Sequence, residues 1–237
     1  AVDPTAELIA QTPDLIVNLS ASPFLIGKLG TRGALVERAA KTAGVSFVYA
    51  NLVGGYDAFE GQVIFDGRSL VMGPNGALKA IGKGFADELL VVDVCSEQTL
   101  PLPEVEAVAE LHEALVLGIR DYFFRSGNPA QCRFDRAIIG LSGGIDSALV
   151  AALAVEALGN ERVLGITMPS KYNSSDTRSD AVRLAENLGI RLKTSPIQGQ
   201  LEICLQDFRA DPDIAALRDD VAEENVQARV RMLGLMY

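Results

Sequence analysis

The stretch Ala137-Ile-Ile-Gly-Leu-Ser-Gly-Gly-Ile-Asp-Ser147 joins a short apolar run to a turn rich in glycine and serine. The apolar run predicts a buried strand, and the alanine-rich segment Asp146–Leu158 predicts the helix that follows it. Open parallel sheets bind their ligands where the carboxyl end of a strand leads into such a helix. This stretch therefore decides both the expected fold and the expected place of the site.

The residue types of this turn are suited to binding a phosphate group. The first turn of a helix offers free N–H groups and the positive end of the helix dipole. Gly143 and Gly144 let a phosphate approach the backbone, while Ser142 and Ser147 add hydroxyl donors. A carboxylate beside a phosphate is unfavourable unless a cation lies between them, so Asp146 predicts a bound Mg²⁺.

Two common phosphate-binding turns do not fit these residues. A P-loop places a lysine directly after its second glycine, and no lysine follows the glycines here. The dinucleotide fingerprint GxGxxG does not match Gly140-Leu-Ser-Gly-Gly144 either. The pattern SGGxDS that is present resembles the pyrophosphate loop of ATP-pyrophosphatases, enzymes that cleave ATP between its α- and β-phosphates. The alternative is a glycine-rich turn without a ligand, which does not require two serines and an aspartate at these spacings.

The rest of the second half alternates between strand and helix signals. Strands are predicted at Val163–Thr167 and Arg191–Ser195, and helices at Glu104–Phe124, Ser175–Leu188 and Asn225–Tyr237. Alternation with short connections is typical of a parallel sheet with right-handed crossovers.

The first half is predicted to be rich in strands around one helix, Thr31–Ala43. Strands are predicted at Leu15–Leu19, Phe47–Val53, Val63–Phe65, Ser69–Met72 and Leu89–Val94. The first two are almost wholly apolar, which is typical of strands buried on both faces. Asp66-Gly67 predicts the turn of a hairpin, and Gly54-Gly55 predicts a break in the chain. The two prolines of Leu100-Pro-Leu-Pro103 predict an extended linker between the halves.

The composition excludes several classes of protein. The chain has 237 residues, of which 49% are hydrophobic and 22% charged, and its net charge is -10. Bulk binding to nucleic acid or to a membrane surface requires positive potential, so neither is expected. No apolar run approaches about 18 residues, the length of a membrane span. Cys95, Cys132 and Cys204 form no CxxC pair, which favours a reduced cytoplasmic protein with small packing cysteines.

Four further stretches resemble glutamine-dependent NAD synthetases. In the second half they are Gly165-Ile-Thr-Met-Pro-Ser170, followed by Ser174-Ser-Asp176, and Glu224-Asn-Val-Gln-Ala-Arg-Val-Arg-Met232. In the first half they are Pro13-Asp-Leu-Ile-Val-Asn-Leu-Ser-Ala-Ser-Pro-Phe24 and Tyr49-Ala-Asn-Leu-Val-Gly-Gly55 with Phe65-Asp-Gly67, which resemble the late part of a nitrilase-type glutaminase domain. The resemblance implies an α/β chain: a partial nitrilase-like αββα domain followed by a Rossmann-like parallel-sheet ATP-pyrophosphatase domain.

The resemblance also implies how the chain is divided. Residues 1–99 correspond to the C-terminal part of the glutaminase domain, 100–130 to a linker and connecting helix, and 131–237 to the N-terminal part of the synthetase domain. The Glu–Lys–Cys catalytic residues of such a glutaminase are not in the chain, so we expect a fragment of a longer protein.

The implied reaction is the ATP-dependent amidation of nicotinic acid adenine dinucleotide to NAD. It passes through an adenylated intermediate, and the ammonia comes from glutamine. The implied cofactors are ATP and Mg²⁺, and the intact enzyme is expected to be a cytoplasmic homo-oligomer that acts on small molecules.

The resemblance assigns residues to each ligand. Those expected to bind ATP are Gly140, Leu141, Ser142, Gly143, Gly144, Ile145, Asp146, Ser147, Met168, Ser174 and Ser175, with Asp146 also a metal ligand. Asn225 and Arg229 are expected to bind the deamido dinucleotide, and Ser22 and Lys28 to bind glutamine. Each has a structural alternative: a core position for Met168, a helix N-cap for the paired serines, a surface pair for Asn225 and Arg229, a turn for Ser22 and a solvated Lys28.

Two other functions remain open on the sequence. The SGGxDS loop also occurs in other amidotransferases and in thiolating enzymes. A truncated and inactive piece that serves as an interaction module is the non-enzymatic alternative, because the first half is expected to leave a sheet edge unpaired.

Overall fold

The computed structural model describes residues 4–58, 61–124, 134–171, 175–210 and 220–236. The chain forms two compact units, residues 1–133 and 134–237. The helices are α1 (Pro4–Ile9), α2 (Lys28–Ala43), α3 (Ala107–Phe124), α4 (Ile145–Leu158), α5 (Ser175–Leu188), α6 (Gln198–Ala210) and α7 (Asp220–Leu235). The strands are β1 (Leu15–Ser20), β2 (Ser46–Asn51), β3 (Val53–Ala58), β4 (Gly61–Asp66), β5 (Leu70–Met72), β6 (Leu78–Ile81), β7 (Ala137–Gly140), β8 (Val163–Thr167) and β9 (Arg191–Thr194).

The second unit is built on a parallel sheet with the strand order β7-β8-β9. Gly140 lies opposite Ile166, and Thr167 lies opposite Thr194, so the carboxyl ends of all three strands meet at one edge. The N–H of Leu141 donates to the carbonyl oxygen of Ile166 at 2.8 Å, which extends the ladder one residue beyond β7. The predicted parallel sheet is therefore confirmed, and its edge carries the SGGxDS loop.

A close contact between β8 and the residue after β7 explains a glycine in the sheet. A Cβ atom at Gly165 would lie 2.8 Å from Cδ1 of Leu141, which is closer than side-chain atoms pack. Leu141 is 2% exposed, so its side chain fills the space that Gly165 leaves. The core behind the same edge contains Ile166, Met168 and Val230.

The first unit contains two sheets. In the larger sheet, of order β1-β2-β5-β6, the pair β1-β2 is parallel and the others are antiparallel. β3 and β4 form a separate antiparallel pair. Helix α2 packs on the larger sheet and ends at Gly44, which has a left-handed φ of 66° and donates its N–H to Ala40. The core between them includes Ile16, Leu29, Val36, Ala40, Phe47 and Leu70.

The prediction that β1 is buried on both faces is wrong. The strand forms as expected, but only Ile16 is buried, while Val17 is 52% and Leu19 is 82% exposed. β1 is the first strand in the order of its sheet, and α2 covers only the face that carries Ile16. An apolar run therefore predicted the strand correctly but not its surroundings.

The predicted hairpin around Asp66-Gly67 is also wrong. β4 pairs with β3, and β5 pairs with β2 and β6, so the chain passes from one sheet to the other at this dipeptide. A buried ion pair holds the crossing: Arg32 of α2 donates to both carboxylate oxygens of Asp66, at 2.8 and 3.0 Å. Arg32 and Asp66 are 4% and 2% exposed.

The glycines at 54 and 55 lie inside β3 and do not break the chain. The N–H of Gly55 donates to the carboxylate of Asp121 on α3 at 2.7 Å. A Cβ atom at Gly55 would lie 2.9 Å from the amide nitrogen of Gln62 and 3.3 Å from Cβ of Asp121. The absence of a side chain therefore lets α3 approach the strand.

The segment Leu89–Val94 is irregular, so the strand predicted there is wrong. Leu89 is 91% and Val91 is 89% exposed. β propensity describes how side chains fit a sheet and does not supply a neighbouring strand to pair with. The Leu100–Pro103 segment is non-helical as expected, but the Leu100 N–H donates to Leu78 at 2.8 Å, and Leu102 packs on the core.

None of the helices among the described residues combines the length and the apolar character that crossing a bilayer requires.

The buried ion pair gives a test of the first unit. Replacing Asp66 by alanine should lower the free energy of unfolding of this unit by about 3–5 kcal/mol, because it leaves the Arg32 cation buried without its partner. Hydrogen exchange of the β2 amides in increasing urea measures that free energy. Glu37→Ala is the matched control, since Glu37 pairs with Lys41 at 2.6 Å on the surface, where a pair contributes about 0–1 kcal/mol. If the two substitutions lowered the free energy of unfolding equally, the buried Arg32–Asp66 pair would not have the stabilising role assigned to it.

Candidate functional site

The loop between β7 and α4 has the backbone geometry that a phosphate-binding turn requires. Gly143 has a φ of 84°, in the left-handed region where a side chain is strained. Gly144 is the N-cap of α4 with an extended backbone, φ -87° and ψ 162°. The free N–H groups of the first turn of α4 therefore begin directly after two residues that carry no Cβ atom.

The two serines predicted to contact phosphate hold the loop together. The Ser147 hydroxyl donates to the Gly144 carbonyl oxygen at 2.9 Å and accepts the Ser142 N–H at 3.3 Å. The Ser142 hydroxyl oxygen lies 3.1 Å from that of Ser147 and accepts the Gly144 N–H at 3.2 Å. These contacts close the loop on itself and fix the direction in which its N–H groups point.

The two residues after Gly144 face solvent. Ile145 is 81% exposed, and Asp146 is an exposed carboxylate in the first turn of α4, where it interacts favourably with the helix dipole. Among the described residues, no group of three or more histidine, cysteine, aspartate or glutamate side chains is arranged to hold a metal ion. A metal ion at Asp146 would therefore need further oxygen ligands from a bound molecule or water.

A cavity of about 330 Å³ lies beside the loop, between the carboxyl ends of β7 and β8 and helix α7. It is lined by Gly140, Leu141, Ser142, Thr167, Met168, Pro169, Ala228, Arg231, Met232 and Leu235. Met168 is 7% exposed and belongs both to the cavity wall and to the core cluster. A core position for Met168 is therefore compatible with the expected contact with ATP. A side chain at Gly140 would contact Leu235 and Met168 and reduce this space.

Sequence reasoning missed the charged residue of this cavity. Arg231 donates from Nε to the Met168 carbonyl oxygen at 3.3 Å and from Nη2 to the Gln227 amide oxygen at 3.0 Å. The Ser170 hydroxyl is hydrogen-bonded to the same amide oxygen. Burial lowers the pKa of Arg231, but arginine starts so high that it stays protonated at neutral pH. The spacing of Ala228, Arg231, Met232 and Leu235 along one helix face was the signal that could have revealed it.

Asn225 and Arg229 lie together on α7 but do not line this cavity. Nη1 of Arg229 donates to the Asn225 backbone oxygen at 3.0 Å, and both residues are exposed. The face of α7 that packs inward contains Val226 and Val230 instead. Of the paired serines expected to bind ATP, Ser174 lies outside the described residues, and Ser175 is the first residue of α5.

In the first unit, Ser22 and Lys28 line one cavity of about 380 Å³. The Ser22 N–H donates to the side-chain oxygen of Asn51 at 2.9 Å, and Nζ of Lys28 donates to the Pro23 carbonyl oxygen at 2.8 Å. Among the described residues of the lining, the charged ones are Lys28, Arg32 and Arg38, and Arg32 is already paired with Asp66. The structure thus brings the two candidate glutamine-binding residues together in one cavity.

The expectation that the cysteines are small packing residues is wrong for two of them. Cys95 and Cys204 are exposed free thiols, and Cys132 lies outside the described residues. Cys95 follows the irregular apolar segment, and Cys204 lies on the outer face of α6, whose inward face carries Leu201 and Leu205. Neither exposed thiol lines the cavity of Ser22 and Lys28.

Comparisons with known proteins agree across sequence and structure. The model of the NAD synthase family matches residues 113–237. The chain is 42% identical, over 239 residues, to the glutamine-dependent NAD(+) synthetase of Synechocystis sp., and the match covers 97% of this chain and 40% of that protein. With the enzyme of the same description from Thermotoga maritima, identity is 35% over 273 residues, covering 99% and 45%.

A solved structure shows the same likeness along nearly the whole chain. The glutamine-dependent NAD+ synthetase from Acinetobacter baumannii, in complex with adenosine diphosphate, matches with a TM-score of 0.82 and 34% identity. The match covers 98% of this chain and 43% of that one. The chain spans about two fifths of the length of these relatives.

Proposed function

The chain belongs to the NAD synthase family, and we propose that its second unit binds ATP and nicotinic acid adenine dinucleotide for the amidation that yields NAD. The observation that carries this proposal is the position of the SGGxDS loop. The loop follows a parallel strand, opens a helix and borders a cavity, which is the arrangement that binds nucleotides in open α/β sheets.

We further propose that each unit belongs to a different catalytic domain. Residues 1–99 are the C-terminal part of a nitrilase-like glutaminase domain, 100–130 the linker and connecting helix, and 131–237 the N-terminal part of the synthetase domain. The two compact units, which divide between residues 133 and 134, support this division, and the match to the family model begins earlier, at residue 113 inside α3. The intact enzyme is proposed to act in the cytoplasm as a homo-oligomer.

The loop binds the triphosphate of ATP through backbone N–H groups at the start of α4. Gly143 and Gly144 allow close approach, and the hydroxyl contacts between Ser142 and Ser147 keep the N–H groups oriented. The cavity beside Met168 takes the adenine, because its wall is mostly apolar and begins where the phosphate loop ends. In the reaction, a carboxylate oxygen of the nicotinate attacks the α-phosphorus, and the bond from that phosphorus to pyrophosphate breaks.

Asp146 is proposed to hold Mg²⁺ together with phosphate oxygens of ATP. One exposed carboxylate beside a phosphate loop fits this ion, which is commonly bound by one or two carboxylates plus substrate phosphates. The ion would supply charge neutralisation for the departing pyrophosphate. The resulting acyl adenylate is then attacked by ammonia, which forms the carbon–nitrogen bond and releases AMP.

The second substrate is proposed to lie against Asn225 and Arg229. Both side chains are exposed on α7, so they are accessible to a ligand and contribute little to packing. An amide donates and accepts hydrogen bonds at once, which suits ribose hydroxyls or a carboxylate edge, while a guanidinium suits a phosphate or carboxylate.

Glutamine is proposed to bind in the first unit, at the cavity of Ser22 and Lys28. Lys28 provides a partner for the α-carboxylate of an amino acid, because it is a half-buried cation in the same cavity as Ser22. We assign no glutaminase catalytic residue within this chain.

The role of Asp146 is tested with two nucleotides. Asp146→Ala should weaken binding of Mg·ATP by roughly 10- to 100-fold, because it removes the protein's anchor for the cation, and should leave AMP binding unchanged. Isothermal titration with each nucleotide measures both affinities. Glu156→Ala removes another exposed carboxylate of α4 and serves as the control. If the Asp146 variant lost affinity for both nucleotides equally, Asp146 would be a structural residue.

The role of Asn225 is tested with the dinucleotide. Asn225→Ala should lower the affinity for nicotinic acid adenine dinucleotide by roughly 5- to 150-fold, the effect of one lost hydrogen bond, and should spare ATP. Since Asn225 is exposed, the melting temperature should not change. The adjacent exposed residue provides the control variant, Glu224→Ala. Unchanged dinucleotide affinity in Asn225→Ala would remove Asn225 from the site.

A further inference from the structure

A buried carboxylate on α3 holds the start of α2. Glu110 is 2% exposed, although glutamate is almost always at the surface. Its Oε2 accepts the N–H of Gly27 at 3.2 Å, and its Oε1 lies 3.5 Å from Nη1 of Arg68. The carboxylate therefore has a cation on one side and the backbone of the Ser22–Lys28 loop on the other.

Gly27 directly precedes Lys28, whose own N–H donates to the Leu25 carbonyl oxygen at 3.0 Å. Gly27 is the N-cap of α2, with a left-handed φ of 75°, and it has no side chain with which to cap the helix. Glu110 places its negative charge there from a different element, at the positive end of the helix dipole. Lys28 is the first residue of the helix, and its ammonium group reaches back to Pro23, so both ends of its side chain are set by this loop.

The other end of the loop is held separately. The Ser22 N–H donates to Asn51, and the Phe24 N–H donates to the Ile64 carbonyl oxygen at 2.8 Å. Three elements outside the loop, β2, β4 and α3, thus bind its backbone at Ser22, Phe24 and Gly27. Of these three contacts, the one between Gly27 and Glu110 lies nearest to Lys28 along the chain.

We propose that Glu110 is a positioning residue for glutamine: through the Gly27 N–H it holds the Lys28 ammonium where the α-carboxylate of the amino acid binds. This inference rests on the proposed function of Ser22 and Lys28. Because coupling between two sites is reciprocal, bound glutamine should in turn slow hydrogen exchange at the Gly27 amide.

The chain offers a matched control on the same helix. Glu113 lies one turn after Glu110, and its Oε2 is 3.9 Å from Nη2 of the same Arg68, but its side chain is 54% exposed. Glu113→Ala removes a charge from Arg68 without touching Gly27. Glu110→Gln keeps an oxygen acceptor for Gly27 and removes the charge, so it separates the hydrogen bond from the ion pair.

The test is isothermal titration of the 237-residue chain with glutamine. Glu110→Ala should weaken glutamine binding about tenfold, the scale of one lost hydrogen bond, whereas Glu110→Gln and Glu113→Ala should bind nearly as well as the native chain. In the double variant Glu110→Ala/Lys28→Ala, affinity should be no lower than in Lys28→Ala alone, because Glu110 acts through Lys28. Hydrogen exchange should show a faster Gly27 amide in Glu110→Ala than in Glu113→Ala.

The outcomes separate this inference from the proposed function. Native glutamine affinity in Glu110→Ala, or additive losses in the double variant, would overturn the positioning role of Glu110. If Glu110→Ala unfolds, the same comparisons are made with Glu110→Met, which removes the acceptor for the Gly27 N–H but keeps most of the buried side-chain volume. If the native chain does not bind glutamine, the proposed site at Ser22 and Lys28 fails, and an unchanged Gly27 exchange rate would still show that Glu110 does not hold this loop.

Discussion

The hydrogen bond from Leu141 to Ile166 fixes the geometry on which the second unit's site depends. It continues the β7-β8 ladder into the first residue of the loop, so the SGGxDS residues start from a rigid point. The Leu141 side chain occupies the space over Gly165, which ties the loop to the middle of β8 as well as to its end. Because β8 then leads into Met168 at the wall of the cavity, one strand pair places both the proposed phosphate loop and the proposed adenine pocket.

The first unit places its candidate residues by a different means. Buried polar contacts take the place of a regular ladder at the point where the chain leaves one sheet for the other. Asp66 accepts two hydrogen bonds from Arg32, and the amide of Asn51 joins that pair to the Ser22 backbone. Buried charges destabilise a fold unless each is paired, so such a network permits few alternative arrangements. The same contacts that hold the sheet crossing therefore also set the loop that carries Ser22 and Lys28.

The sequence was most informative where structure is determined locally. The β7–α4 loop was predictable because its glycines, serines and aspartate act within eight residues, and the alternation of strands and helices was enough for the parallel sheet. The Asp66-Gly67 turn signal is local too, but its outcome was decided by Arg32, 34 residues earlier in the chain. Leu89–Val94 has strand-like residues, and only the fold determines whether a partner strand exists. Arg231 was missed because its contacts with Met168 and Gln227 depend on how α7 packs.

The central claim is that backbone N–H groups of the β7–α4 loop bind the triphosphate of ATP. Two glycines flank α4 with almost equal left-handed φ values, Gly143 at 84° and Gly159 at 85°. Alanine at either position should cost about 1–3 kcal/mol of stability through backbone strain, but only Gly143→Ala adds a Cβ atom where the phosphate approaches. Titration of both variants with Mg·ATP should show a loss of affinity in Gly143→Ala and native affinity in Gly159→Ala. Equal affinity in the two variants would contradict the account.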